Sequence, residues 1–92
     1  MKKLYETINA NNWRKGEYGW GTGRYCLGAH AGALSVMSGE PMPIWTALRE
    51  AVLAVYPERT FGYRSNVAIS AFNDHPDTTV EDVIRVCKLA DV

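Results

Sequence analysis

Ninety-two residues are enough for one domain, expected to span residues 1–92, and a chain of this size hides only about two-thirds of its unfolded surface. A hydrophobic fraction of 47% with 22% charged residues is a globular balance and excludes a disordered linker. Ten basic and ten acidic residues cancel to a formal charge of zero, so no overall field draws the chain to nucleic acid or to an anionic membrane, although Lys2, Lys3, Arg14, Lys15 and Arg24 leave a local patch open.

The amino terminus begins like a secretory signal, but Glu6, Asn9, Asn11 and Asn12 stand where its apolar segment belongs. No run of about eighteen apolar residues marks a membrane span. The expectation is a cytoplasmic protein with no membrane partner and with Cys26 and Cys87 as reduced, buried thiols. The first predicted element is a short amphipathic helix from Lys2 to Asn12, with Leu4 and Ile8 on its apolar face. Trp13 follows it. Gly16, Gly19, Gly21 and Gly23 then alternate with Tyr18 and Trp20 in a loop that needs permissive backbone angles.

From Tyr25 to Met37 the chain is apolar on nearly every side and rich in glycine and alanine. A helix of that kind belongs in the middle of a domain, and at about thirteen residues it is too short to span a bilayer. It is predicted to be the enclosed central helix, ending near Gly39. A third helix is predicted from Pro43 to Val55 with Ile44, Leu48, Val52 and Val55 at helical spacing, closed by Pro57. Ser65 or Asn66 opens a short helix through Val67, Ile69 and Phe72; these positions also suit a strand, but a lone strand would have no partner. Asn73 and Asp74 read as a structural turn. Thr78 with Glu81 reads as the capping box of a last helix whose buried stripe is Val80, Val83, Ile84 and Cys87, extended by Leu89 and Ala90, with Glu81, Asp82, Arg85 and Lys88 facing water. The predicted fold is all-α: a compact bundle of four main helices plus one short helix around the Gly/Ala-rich central one.

Trp13 with Gly16, the run Arg-Tyr-Cys-Leu-Gly-Ala from Arg24 to Ala29, and Phe-Asn-Asp-His-Pro from Phe72 to Pro76 followed by Thr79 occur in this order over almost the whole chain. Together they resemble a small domain family of unknown function found in actinobacteria and their bacteriophages. His30 departs from that pattern, since many relatives have leucine after Gly-Ala. The resemblance implies an all-helical fold and a phage or actinobacterial setting, the host cytoplasm in the phage case. It brings no activity, cofactor or catalytic residue.

Three constellations bear on function. Cys26 and His30 lie four residues apart, with Asn73, Asp74 and His75 as orienting groups, the components of a cysteine nucleophile; against this, Cys26 sits in the most apolar part of the chain. Cys26, His30, His75 and Cys87 lack the short paired spacing of structural zinc sites, so neither metal nor cofactor is expected. The glycines before the central helix, with Arg24, suit a small anion or nucleotide but lack the ending of a phosphate loop, and Arg24 is expected rather to pair with Asp74. Surplus aromatics suit an interface or, equally, a second small core beneath the long loops. The leading expectation is a non-enzymatic protein that binds another protein, or itself, through Tyr18, Trp20 and Arg24 and the neighbouring surface. The alternatives are a small anionic ligand or nucleotide binder and a cysteine-dependent hydrolase or transferase.

Overall fold

Pro41–Val55 forms the longest helix, α3, and three other helices pack against it: α2 (Leu27–Ser38), α4 (Val67–Asp74) and α5 (Val80–Ala90). The reason is periodicity: Ile44, Leu48, Ala51 and Val52 recur on one face and are buried. A one-turn helix α1 (Leu4–Thr7) lies on α5 and touches α2, and a 3-10 turn (Pro57–Arg59) follows α3. The computed structural model describes residues 3–16, 24–39 and 41–92. Among these the fold is all-α, and extended backbone pairing is confined to one parallel bridge between Trp13 and Tyr25. The expected four main helices and one short helix are present, but the short one is the first.

Side-chain chemistry explains that difference. Asn9 and Asn12 take over the hydrogen bonding that would have continued α1: the Asn9 amide donates to Asn12 Oδ1 at 2.9 Å, the Asn11 amide to Asn9 Oδ1 at 2.8 Å, and Asn12 Nδ2 to the Thr7 carbonyl at 2.8 Å. Asparagine competes with a helix in this way. Leu4 and Ile8 are nonetheless buried as their spacing predicts. At the other end of the chain, the Tyr5 amide donates to the Val92 carbonyl at 3.3 Å and Lys3 Nζ to the Asp91 carbonyl at 2.9 Å, tying α1 to the end of α5.

The core is a single cluster that includes Leu27, Leu48, Ile69, Phe72, Val83 and Val86, all fully buried. On α5, Val83, Val86 and Cys87 form the buried stripe, whereas Leu89, expected to extend it, is 57% exposed.

The capping box of α5 stands one residue later than expected. Thr79, not Thr78, is the N-cap, its hydroxyl accepting from the Asp82 amide while Asp82 Oδ2 accepts from the Thr79 amide. Thr78 is buried and Glu81 is exposed. Tertiary contacts select this register. Asp82 does not simply face water: Oδ2 accepts from Arg59 at 2.8 Å and Oδ1 from Tyr56 and Arg85, both at 3.1 Å. Arg59 also lies 4.4 Å over the Tyr56 ring, which stacks on Phe72 at 5.1 Å. Partial burial pushes the Asp82 carboxyl up, but the hydrogen bonds from Arg59, the Thr79 amide and Tyr56, with the charge of Arg59, outweigh this and hold it below the usual carboxylate range.

Helix α2 departs from the expectation of full enclosure. Leu27, Gly28, Ala31 and Ser35 are buried against its neighbours, but Val36 is 84% and Met37 68% exposed. It packs on α1, α3 and α4, and its remaining side is open among the described residues. Gly39 ends it in the left-handed conformation, at φ 73°, with its amide donating to the Ser35 carbonyl.

Candidate functional site

The segment that leads into α2 is fastened by one buried side chain. Asn73, in the last turn of α4 rather than in a turn beyond it, is completely buried and fully hydrogen-bonded. Its Oδ1 accepts from Trp13 Nε1 at 2.6 Å and from the Leu27 amide at 3.0 Å; its Nδ2 donates to the Arg14 carbonyl at 3.2 Å and to Asp74 Oδ1 at 3.0 Å. Asp74 Oδ1 also accepts from the amide of Gly16 at 2.7 Å, a residue at φ +85° that presents its N–H through a conformation few side chains tolerate. Lys15 Nζ donates to the carbonyls of His75 and Pro76 at 2.5 and 3.1 Å. The structural part expected of Asn73 and Asp74 is therefore visible as contacts: they join residues 13–16, the start of α2 and the end of α4.

Cys26 stands just before α2, not within it. It is the N-cap, 8% exposed, with its sulfur accepting from the Ala29 amide at 3.4 Å. The other members of the expected nucleophile constellation have separate partners. His30 Nε2 is hydrogen-bonded to the Asn12 carbonyl at 2.9 Å, and His75 Nδ1 accepts from the Asp77 amide at 3.1 Å while its ring lies against Phe61. Cys87 is buried in the core, and burial pushes its thiol up to about 12. Among the described residues no three histidine, cysteine or acidic side chains are grouped to hold a metal ion.

A cleft lies along the open side of α2. It encloses about 700 Å³, with Gly28, Gly32 and Val36 spaced four residues apart along its floor and Ala29 and Ala33 beside them. Trp45 of α3 also lines it, as do Tyr25, His30 and Asn12. The rings of Tyr25 and His30 meet edge to face, with centroids 5.9 Å apart. No aspartate, glutamate, lysine or arginine lines the cleft among the described residues. Val36 carries its apolar lining outward, and Met37 and Met42 (67% exposed) add apolar surface on either side of the α2 to α3 turn.

Gly32 is informative here. Its φ is not in the left-handed region, and a Cβ built on it would meet nothing within 4 Å among the described residues, so neither backbone geometry nor packing against those residues requires glycine. In a helix interior glycine costs roughly 0.5–1 kcal/mol relative to alanine. What its missing side chain does provide is depth to the cleft floor.

Of the residues expected to make contacts, Tyr18 and Trp20 lie outside the described residues, and Arg24 is exposed one residue before the cleft-lining Tyr25. The roles of Trp45 as cleft wall and His30 as cleft edge were not apparent from sequence. The Gly28, Gly32 and Val36 spacing lies in the sequence, but an all-round apolar helix hides which side is open, so it did not point to the cleft.

Residues 2–91 match the model of a family described as a family of unknown function (DUF6197). Comparison with curated proteins gives no match, and comparison with solved structures gives none either.

Proposed function

We propose, for a chain that belongs to the DUF6197 family and so takes no activity from its family, that it is a non-enzymatic binding domain that holds an apolar segment of another protein in the α2 to α3 cleft. The observation that carries this reading is Gly32, a residue that costs helix stability at a position where, among the described residues, the absent side chain serves the cleft and no packing contact. The apolar lining, with Val36 exposed in it and Met37 and Met42 exposed on either side of the α2 to α3 turn, supports a protein partner, because exposed aromatic, aliphatic and methionine side chains suit an interface. The buried, capping sulfur of Cys26 and the raised thiol of Cys87 support a binding rather than a catalytic role. The aromatic loop that carries Tyr18 and Trp20 runs in sequence directly toward Tyr25 and Arg24, and a contact role for it goes with this reading. So does the phage or actinobacterial setting that the sequence resemblance implies.

The test uses peptides selected from a random library on the wild-type protein, measured by calorimetry against wild type and Gly32→Leu. The leucine side chain enters open space and improves helix propensity, so the variant should be as thermally stable as wild type or a few degrees more so. Its affinity for the selected peptides should fall at least about tenfold, since the cleft is filled. Equal binding by the two proteins would place the working surface elsewhere.

A further inference from the structure

At the His30 edge of the cleft the hydrogen-bonding capacity is defined. The Asn12 carbonyl accepts from the Tyr25 amide at 2.7 Å and from His30 Nε2 at 2.9 Å, which uses both of its lone pairs. A carbonyl oxygen cannot donate, so His30 Nε2 carries the hydrogen, and in the neutral ring Nδ1 carries the lone pair. Nδ1 has no hydrogen-bond partner among the described residues. Nor is it sealed in, because no buried side-chain nitrogen or oxygen among those residues lacks a partner. Nδ1 is thus not enclosed by the described residues, and His30 is one of the residues that line the cleft.

The remaining walls set the rest of the requirement. Gly28, Gly32 and Ala29 offer a flat floor of backbone and methyl groups, and Trp45 and Tyr25 offer ring surface. Such walls suit the face of a planar ring, which gains from offset or edge-to-face contact with other aromatics. With no charged residue lining the cleft among the described residues, an ionised group would lose its hydration without compensation. These walls and the Nδ1 lone pair together suit an uncharged aromatic ring with one hydrogen to donate.

We propose that the group the cleft takes from its protein partner is the indole of a tryptophan or the phenol of a tyrosine, with its N–H or O–H donated to Nδ1 of His30. This rests on the protein-binding reading and adds the recognition rule: His30 separates tryptophan from an indole-sized ring lacking the N–H, and tyrosine from phenylalanine. The donor is what a purely apolar groove would ignore.

The test uses capped, uncharged heptapeptides of serine and leucine with one central aromatic residue: tryptophan against 3-benzothienylalanine, which has the same shape without the N–H, and tyrosine against phenylalanine. Within each pair the donor-bearing peptide should bind about tenfold more tightly, the scale of one hydrogen bond to an otherwise unpaired acceptor. The nitrogen resonance of His30 Nδ1 should move with the donor-bearing peptide and stay in place with its isostere. Equal affinity within both pairs overturns the donor rule; library-selected peptides that still respond to Gly32→Leu would then leave the binding cleft standing. The rule is equally overturned if none of the four peptides binds while those selected peptides do. If the selected peptides are indifferent to Gly32→Leu, the binding reading itself has failed.

Discussion

Asn73→Ala is expected to destabilise the protein by about 3–4 kcal/mol, roughly a 15–25 °C fall in Tm for a chain of this size. The size of the effect comes from what is left behind. The Leu27 amide and the Trp13 indole nitrogen both donate to Asn73 Oδ1; the first loses its acceptor at a completely buried position and the second at a partly buried one. An orphaned buried donor costs about 1–3 kcal/mol, more than the net worth of the bond itself. The Arg14 carbonyl loses its donor as well. Asn73→Asp should not rescue, because it keeps the acceptor but removes the Nδ2 donor and sets a second carboxylate beside Asp74. Urea denaturation measures both variants, and a loss below about 1 kcal/mol for Asn73→Ala would mean that the side chain is not the fastening described.

Asp82→Ala is the second large effect, with an expected loss of about 2–3 kcal/mol at neutral pH. The alanine removes half of the capping box and strips Arg59, whose side chain is only 18% exposed, of its carboxylate. The same residue gives a pH signature whose sign is fixed. Because the folded-state carboxyl is held below its unfolded value, the unfolded chain takes up the proton first, and stability rises with pH through that interval. The contribution is complete above about pH 4 and disappears as pH falls through the lower, folded-state value. Wild-type stability should therefore fall in acid by more than that of Asp82→Ala, and the two curves should converge at low pH. Parallel curves would show that Asp82 is not held ionised by its partners.

Helices α3 and α5 were legible because apolar side chains of ordinary size recur at 3.6-residue spacing, which leaves only one face to bury. The same rule gave the wrong length for α1, where the side chains of two asparagines, Asn9 and Asn12, bond to nearby backbone and end the helix after one turn. The cap of α5 was ambiguous in sequence because Thr78 and Thr79 each have an acidic residue three positions later. Arg59 and Tyr56, more than twenty residues away, decide between them by engaging Asp82. For α2 the signal was absent: glycine and alanine carry too little apolar surface for periodicity to distinguish an enclosed face from an open one. Asn73 could be read as a turn residue but not as the buried partner of Trp13 and Leu27, since 60 and 46 positions separate it from them. The candidate site was least legible for the same reason: Trp45 and His30 reach one cleft only once α2 and α3 are packed together.

The cleft along the glycine-bearing side of α2 is the claim on which function turns, and residue-by-residue NMR mapping of the protein bound to a library-selected peptide tests it most directly. The largest amide shifts should run from Gly28 to Val36, with a matching shift of the Trp45 indole resonance. Shifts concentrated instead around the exposed Phe61, Tyr63 and Val67 would contradict it.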